Sequence, residues 1–273
     1  MPLHRDPKSH KTQNGTVAVI GGSHRFHGAP IFTALSAEAT GVDLVYPFVH
    51  ECHEDVTRQA SLNFIVSTFK GKSLSQGDVK SVLVLLRELD VAVIGPGMEE
   101  NQENATALSA IVGNSPCSLV LDAGALKPAV VKSIKDDTVA VLTPHVGELE
   151  ELTGQDLTGV PRREVEALAK LLAKEHEVTV ILKGHEDLIV DSKGKKTTVK
   201  GGNAGLTKGG TGDVLAGVIA GLMAQGVKPF EACALSARLI KRAATVLYPE
   251  KGYAYTTVEV IQQIPHLLHA YEG

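Results

Sequence analysis

Tryptophan is absent from this sequence of 273 residues, and aromatic side chains make up only 4% of it. Cysteine is scarce too, because Cys52, Cys117 and Cys233 are an odd and widely spaced set with no CxxC pair. Such a set argues against a disulfide framework and against a zinc site, and it is typical of a reducing compartment. We therefore expect a cytoplasmic protein held together by its apolar core.

Long hydrophobic runs are also lacking. No stretch approaches the roughly 20 apolar residues that span a bilayer, and residues 1–8 contain no apolar segment of the kind found in a secretory signal. The net charge is only -4, so no global field would hold nucleic acid or an anionic membrane. We expect small-molecule partners, no nucleic acid and no membrane, and any phosphate site must be built locally.

Short β-branched runs alternate with longer helical stretches along the chain, which predicts an α/β fold. Residues 1–14 are interpreted as a polar tail and 15–273 as a single domain, with a mostly parallel central sheet and helices on both faces. The predicted strands are 16–20, 42–45, 61–66, 91–94, 118–121, 139–142, 178–182, 188–191 and 197–200. The predicted helices are 29–40, 77–88, 103–113, 147–152, 161–175, 213–225, 229–247 and 256–271. The last two strands should form an antiparallel hairpin near an edge.

Unusual residues follow five of these strands, in the segments 21–24, 95–97, 122–125, 143–148 and 183–187. A sixth segment, 203–213, leads into a helix. Ligands of open parallel sheets bind where strands end and helices begin. We therefore expect all six segments to meet at one edge of the sheet.

The segment 203–213 ends in Gly209-Gly210-Thr211-Gly212-Asp213 and opens an apolar helix. Glycines let phosphate approach the backbone, and a helix start offers unpaired amides and a positive dipole end. These features predict an anion hole for a nucleoside di- or triphosphate, with Asp213 as the catalytic acid/base. The alternative is a tight turn with Asp213 as a helix cap. A Walker A loop is excluded, because Val66 stands where its first glycine should precede Gly71-Lys72-Ser73.

Three further residues and one segment each have more than one interpretation. Lys183 could meet a nucleotide phosphate or be a surface lysine. His145 could hold a polar substrate or cap a helix with Glu148 three residues on, and Asp122 could bind metal, orient a hydroxyl or cap the next helix. The segment of His50, Cys52 and His53 resembles a ligand set, but no fourth partner stands at a zinc spacing, so a solvated charged segment is favoured.

In this order the motifs resemble those of the NAD(P)H-hydrate dehydratases of the ribokinase-like superfamily. The resemblance covers nearly the whole chain. It is carried by Gly-Ser-His-Arg-Phe-His-Gly-Ala-Pro at 22–30, Gly-Pro-Gly at 95–97, Leu-Asp-Ala-Gly-Ala-Leu-Lys at 121–127, Thr-Pro-His-Val-Gly-Glu-Leu at 143–149, Leu-Lys-Gly at 182–184 and Gly-Gly-Thr-Gly-Asp-Val-Leu-Ala-Gly at 209–217.

The resemblance implies repair of NADH or NADPH whose nicotinamide ring has been hydrated. ADP or ATP, with Mg²⁺, would phosphorylate the ring hydroxyl, and phosphate would then leave. By motif, Gly97, His145 and Asp213 would contact the hydrate, with Asp213 as base. The predicted nucleotide contacts are Lys183, Gly184, His185, Glu186, Asp187, Asn203, Ala204, Gly205, Leu206, Thr207, Lys208, Gly209, Gly210, Thr211 and Gly212. The residues that would hold a metal are not determined.

The chain departs from the family pattern in three places. Gly124 stands where relatives commonly carry a second Asp, and the stretch 46–73 lacks an expected Pro-Glu segment. Relatives also often carry a fused epimerase domain, so that step would belong to a separate chain. The resemblance further implies a homo-oligomer. Two other functions are compatible with the same motifs: a small-molecule kinase acting on a vitamin-precursor alcohol, and a nucleotide-binding protein that does no chemistry.

Overall fold

A nine-stranded sheet forms the centre of the computed structural model, which describes residues 5–271. Residues 1–4 of the predicted tail and 272–273 of the predicted domain lie outside the described residues. The strands are β1 Thr16–Ile20, β2 Leu44–His50, β3 Ser67–Phe69, β4 Val91–Ile94, β5 Ser118–Leu121, β6 Ala140–Leu142, β7 Thr179–Leu182, β8 Asp187–Val190 and β9 Lys196–Val199. Their order across the sheet is β3-β2-β1-β4-β5-β6-β7-β8-β9.

Every neighbouring pair from β3 to β7 is parallel, whereas β8 and β9 pair antiparallel at the edge. The predicted mostly parallel sheet and its edge hairpin are thereby confirmed. Strands buried on both faces explain the continuous apolar runs in the sequence. In β1, Val17 and Val19 enter one core while Ala18 and Ile20 enter the other.

Helices cover both faces of the sheet. They are α1 Gly28–Glu38, α2 Glu54–Ala60, α3 Gln76–Leu86, α4 Gln102–Val112, α5 Pro128–Val131, α6 Val146–Thr153, α7 Arg162–Glu175, α8 Thr211–Ala224, α9 Pro229–Lys251 and α10 Thr257–Leu268. Residues of α1, α8, α9 and α10 line one core, and residues of α3, α4, α5, α6 and α7 line the other. This is the predicted arrangement.

Helices α1 and α8 touch along a seam that only glycine permits. A methyl group on Gly217 would lie 2.2 Å from the carbonyl oxygen of Thr33, and one on Gly221 would lie 2.2 Å from Oγ1 of Thr40. Because real Cβ atoms do not approach other atoms this closely, the two helices depend on these glycines for their separation. Helix α1 follows the loop after β1, and α8 follows the glycine-rich turn, so the seam joins two of the predicted site segments.

Two strand predictions were wrong. The predicted strand at 61–66 is a turn, in which the amide of Phe64 donates to the carbonyl of Ser61, and β3 begins only at Ser67. The predicted strand at 42–45 begins and ends later, as β2 runs through Pro47 to His50. Proline is tolerated there because β2 pairs with β3 only from residue 48 onward.

Candidate active site

The carboxyl ends of five parallel strands lie side by side, because β1, β4, β5, β6 and β7 are consecutive in the sheet. Backbone hydrogen bonds join the loops that follow them. The amide of Gly22 donates to Pro96 O at 2.7 Å, and the amide of Lys183 donates to Pro144 O at 2.8 Å. The predicted convergence of these loops at one edge is therefore confirmed.

A buried ion pair occupies the middle of this edge. Lys183 Nζ lies 2.8 Å from Oδ1 of Asp122 and 3.5 Å from Oε2 of Glu148. Asp122 is 2% exposed, and Oγ1 of Thr143 donates to the same carboxylate oxygen at 2.6 Å. Burial by itself would lower the pKa of Lys183, but the negative charges of Asp122 and Glu148 outweigh it and raise that pKa. Lys183 is thus a fixed cation.

The ion pair decides between two of the earlier alternatives. Lys183 is not an ordinary surface lysine, because 18% of its side chain is exposed and its ammonium group is engaged with carboxylates. Asp122 is not a helix cap, since its side chain makes no capping hydrogen bond to the 3₁₀ turn that follows it. Both residues belong to the interior of the candidate site.

Asp213 lies beside the ion pair, as the third residue of α8. Burial raises the pKa of its carboxyl to about 7, with the negative charge of Asp122 adding to the effect and the positive charge of Lys183 opposing it. The side chain remains partly exposed to solvent. A carboxyl with this pKa can take and return a proton near neutral pH, which is what a general acid/base requires.

The glycine-rich turn before α8 presents free backbone amides. Gly210 has a φ of 95°, in the left-handed region, and caps the helix without a side chain. Within residues 5–271, the amides of Gly209, Gly210 and Gly212 donate to no protein acceptor. Free amides at a helix start, together with the helix dipole, are the features on which the predicted anion site depends, and the binding of an anion there stays a prediction.

A cavity of about 730 Å³ opens next to this turn. Most of the predicted nucleotide contacts line it, along with His145 of the predicted substrate contacts. The lining residues among those predictions are Lys183, Gly184, His185, Asp187, Asn203, Ala204, Leu206, Thr207, Lys208, Thr211 and Gly212. The structure therefore brings together the two chain segments that the resemblance assigned to the nucleotide.

Some of the predicted nucleotide contacts do not line this cavity. The carboxylate of Glu186 turns to Arg162 and Lys200, at 2.9 and 2.8 Å. Gly205 is buried beneath Tyr255, where a methyl group would lie 2.4 Å from the ring. Gly209 and Gly210 lie in the chain between the lining residues Lys208 and Thr211 but do not line the cavity themselves. Their role toward a nucleotide stays a prediction.

His145 caps a helix and also lines the cavity, while its contact with a substrate stays a prediction. Its Nδ1 accepts from the amide of Glu148 at 3.1 Å, and the Glu148 carboxylate accepts from the amide of His145 at 2.7 Å, so the pair caps α6. The side chain is nevertheless 58% exposed and lines the cavity. Capping fixes the ring, and its Nε2 lies 3.6 Å from Oε1 of the same Glu148.

Gly97 and Gly124 lie where the loops pack closely. A methyl group on Gly97 would lie 3.1 Å from Cβ of Ala29 and 3.3 Å from Cβ of Phe26, so this residue joins the loops after β4 and β1. A methyl group on Gly124 would lie 2.9 Å from Cβ of Met98. The missing family carboxylate at 124 therefore has a steric reason, because this turn has no room for a side chain.

One charged residue of the cavity was missed by the sequence interpretation. Lys241 lies in α9, is 7% exposed, and places Nζ 3.1 Å from Asp187 Oδ2 and 3.0 Å from the carbonyl oxygen of His185. It thereby holds the turn after β7. A single lysine within the apolar face of a helix was the signal in the sequence that pointed to it.

The His50 segment is only partly a solvated one. Glu51 and Cys52 are exposed, but His50 is 4% exposed, and its Nε2 contacts Gly71 O at 2.5 Å. The prediction of solvent exposure was wrong for His50, because the loop at 70–73 folds over its ring. Across residues 5–271, no group of three or more His, Cys, Asp or Glu side chains is arranged to hold a metal ion.

The family model described as NAD(P)H-hydrate dehydratase matches residues 17–266. The chain belongs to the NAD(P)H-hydrate dehydratase family. It is 37% identical to an ADP-dependent (S)-NAD(P)H-hydrate dehydratase of Nitrosopumilus maritimus, over 98% of this chain and 93% of that protein. It is 35% identical to a bifunctional NAD(P)H-hydrate repair enzyme of Methanocaldococcus jannaschii, of which it spans 51%. The family predicted from the motifs is confirmed.

Solved structures agree with this assignment. The ADP/ATP-dependent NAD(P)H-hydrate dehydratase of Bacillus subtilis, co-crystallised with ATP and Mg²⁺, has a TM-score of 0.84 and 25% identity, covering 100% of this chain and 95% of that one. A hydroxyethylthiazole kinase of Pyrococcus horikoshii has a TM-score of 0.62 and 17% identity, covering 94% and 89%. The second match shows a shared fold and confirms the ribokinase-like class.

None of the helices within residues 5–271 has the length and apolar character needed to cross a membrane.

Proposed function

We propose that this chain is a lyase that restores hydrated NADH or NADPH at the expense of ADP or ATP. The observation that carries the proposal is Asp213. It is a half-buried carboxyl with a pKa of about 7, placed between the free amides of the glycine-rich turn and the Asp122–Lys183 pair. Membership of the dehydratase family supports the choice of substrate.

In the proposed mechanism, the nucleotide occupies the cavity beside α8, with its terminal phosphate at the amides of residues 209–212. The hydroxyl on the hydrated ring lies against Asp213, with Gly97 and His145 on its other sides. Asp213 takes the hydroxyl proton while the hydroxyl oxygen bonds to the terminal phosphorus, and the bond from that phosphorus to its bridging oxygen breaks, so that AMP leaves from ADP, or ADP from ATP. The C–O bond then breaks and phosphate leaves with that oxygen, the adjacent ring carbon gives its proton to water, and the ring double bond is restored.

Lys183 has a supporting part in this mechanism. Its ammonium group is held 2.8 Å from Asp122, next to the start of α8. A methyl group on Gly212 would lie 3.5 Å from Nζ, so the ammonium group lies against the amides proposed to hold the phosphate. This fixed positive charge offsets negative charge that develops on the transferring phosphoryl group.

Mg²⁺ is the proposed metal, and the donor chemistry of the site fits it. Magnesium keeps several waters and is held by one or two carboxylates together with substrate phosphates. Glu148 would supply a carboxylate at this edge, whereas Asp122 is already engaged by Lys183 and Thr143, and Asp213 is the proposed base. When bound, the metal would neutralise phosphate charge.

A rescue assay tests the proposal. Hydrated NADH or NADPH is incubated with ADP or ATP and Mg²⁺, and the absorbance of the reduced nicotinamide ring is followed while the products are analysed by mass spectrometry. We expect the absorbance to return and inorganic phosphate to appear. A stable phosphorylated product would instead indicate the small-molecule kinase. Binding of nucleotide without turnover of any coenzyme would indicate a non-catalytic nucleotide-binding protein.

Three expectations about location, assembly and pathway partners accompany this proposal. We propose that the protein works in the cytoplasm, that it assembles as a homo-oligomer, and that a separate epimerase chain acts in the same pathway. Ala237, Ala243 and Ala244 of α9 are buried within the chain, so these alanines are not available to a subunit interface. Light scattering coupled to size-exclusion chromatography measures the oligomeric state directly.

A further inference from the structure

Four imidazole rings gather at the carboxyl ends of β1 and β2. His24 and His27 lie in the loop after β1, His50 ends β2, and His53 follows it. The ring centroids are 5.7 Å apart for His24 and His50, 5.3 Å for His27 and His53, and 6.1 Å for His50 and His53. The proposed reaction uses none of these rings.

The exposed part of this cluster has unused hydrogen-bonding capacity. His24, Arg25 and His27 are exposed, and within residues 5–271 none of the three side chains has a hydrogen-bond or ion-pair partner. Two carboxylates of the following segment, Glu54 and Glu51, are directed to other basic side chains. Glu54 pairs with Arg58 at 2.7 Å, and Glu51 lies 3.9 Å from Lys70.

The inner histidine holds the loop in place. His53 Nε2 lies 2.9 Å from the carbonyl oxygen of Ser23, and the amide of Ser23 donates to the carbonyl of Phe26 at 3.1 Å. The loop that carries His24, Arg25 and His27 is therefore braced from β2. The three side chains without a hydrogen-bond or ion-pair partner therefore project from a backbone that is held in place.

The cluster adjoins the place where the substrate ring is proposed to react. Phe26 and Ala29 of the same loop pack against Gly97. Asp122 follows β5, and β4 alone separates β5 from β1. At the usual strand spacing, β1 and β5 are about 10 Å apart. A ligand that extends from Asp213 past Gly97 reaches this loop next.

We propose that His24, Arg25 and His27 form a subsite for the pyrophosphate of the dinucleotide substrate, an inference that rests on the proposed function. The guanidinium group and the imidazole N–H groups are donors suited to phosphate oxygens. A chain with a net charge of -4 must hold such an anion by local donors. The nucleotide cavity lies on the other side of Lys183, so the two phosphate-bearing ligands do not compete for these residues.

The test compares two substrates and four proteins, of which Arg25→Gln is the fourth. Hydrated NADH carries the pyrophosphate, whereas hydrated reduced nicotinamide mononucleotide keeps the reacting ring and a single phosphate. The proteins are the unmodified chain, His24→Gln/His27→Gln, and the control His10→Gln/His266→Gln. The control removes two exposed imidazoles, of which His10 precedes β1 and so lies at the opposite edge of the sheet. Arg25→Gln is measured as a second variant.

We expect the unmodified chain and the control to prefer the dinucleotide in kcat/KM. The double variant and Arg25→Gln should each lose that preference by roughly tenfold, through KM, while turnover of the mononucleotide is unchanged. The preference of the unmodified chain should also shrink as salt is raised. A preference retained in both variants, or an equal loss for both substrates, would overturn the subsite.

Failure of the proposed function has a different outcome. If neither hydrate is turned over by the unmodified chain, the dehydratase proposal falls, and binding of NADH and of the reduced mononucleotide is then compared by calorimetry. Weaker binding of NADH alone in the variants would support the subsite, and unchanged binding would remove it.

Discussion

Asp213 is the acidic residue of this site whose pKa is raised, to about 7, and the cause is its surroundings. Burial disfavours its charged form, and the neighbouring Asp122 already carries a negative charge that Lys183 balances. A general base works best when its pKa is close to the working pH. Asp213 meets this condition, whereas the carboxylate of Asp122 is already bonded to Lys183 and Thr143.

Replacing Asp213 by Asn should separate turnover from binding. We expect a loss of roughly 10²–10⁴-fold in kcat, because the general base is removed, while the affinity for ADP changes little. The exposed Asp137→Asn, in the loop before β6, is the matched control. Turnover is followed by ring absorbance and affinity by calorimetry; an unimpaired kcat would assign the base to another residue.

The same carboxyl gives two pH dependences of opposite sign. Activity should rise with pH up to about 7, as Asp213 loses its proton, and then level off. Stability should fall over the same window, because the pKa is higher in the folded chain than the value near 3.9 of an unfolded one, so the folded state binds more protons between these values. Asp213→Asn should therefore raise the free energy of unfolding at pH 8, by about 1–3 kcal/mol, and by less at pH 5. Urea titrations at both pH values measure this difference.

The Asp122–Lys183 pair should show strong coupling. Lys183→Met leaves Asp122 buried without its partner, which should cost about 3–5 kcal/mol of stability. Asp122→Asn in the same chain should restore part of that loss, since an amide tolerates the missing cation. Urea unfolding of the two single variants and the double variant gives the coupling energy. Simple additivity would show that the pair contributes nothing as a pair.

At the scale of elements, the start of α8 distinguishes two glycines that look equivalent in the sequence. A substitution at Gly210 cannot test whether phosphate binds at this turn. A methyl group there would lie 2.6 Å from the ring of Phe32, and the φ of Gly210 is 95°. Gly209 has open space around it and is exposed. The first glycine of the turn faces open space, and the second faces the protein.

Valine at these two positions should therefore act differently. Gly209→Val should weaken ADP binding by roughly tenfold with little change in Tm, because its side chain fills ligand space. Gly210→Val should lower Tm by several degrees, because Phe32 must move and the backbone is strained. Thermal melts with and without ADP separate the two effects; equal destabilisation would contradict the assignment.

The elements themselves were largely predictable, and the misses have local causes. Strands such as Val91–Ile94 and Ser118–Leu121 are continuous apolar runs that only a doubly covered sheet accommodates, and both were predicted at their observed bounds. The strand near residue 64 was misplaced, since Ser61 and Asn63 bond to Glu38 of α1 instead. Such side-chain contacts across 23 to 25 residues leave no mark on local periodicity.

At the scale of the whole molecule, the order of loops was predictable but the partners of individual side chains were not. Parallel strands place their carboxyl ends together, so Asp122, Lys183 and Asp213 could be grouped from the sequence. The sequence did not show that Lys183 forms an ion pair with Asp122. Nor did it show that the side-chain amide of Asn203 accepts a hydrogen bond from Tyr255 and donates one to the carbonyl of Ala244. These pairings depend on sequence separations of 41 to 61 residues.

Removal of magnesium should affect the reaction and leave the fold intact. Within residues 5–271 no side-chain cluster is arranged to hold a metal, so the ion should arrive with the nucleotide. We expect EDTA to abolish rescue of hydrated NADH with the Tm of the nucleotide-free protein unchanged. Added Mg²⁺ should restore turnover. A lower Tm in EDTA would reveal a structural metal.

The glycine seam between α1 and α8 sets how such a protein can change. Gly217 and Gly221 leave no space for a side chain against Thr33 and Thr40. The loop after β1 and the glycine-rich turn are therefore attached to two helices that can move only together. Neither half can be shifted to accommodate a larger ligand without carrying the other along. New specificity is therefore easier to reach by exchanging side chains on the rims, such as those after β1 and β2, than by altering the spacing of the two helices.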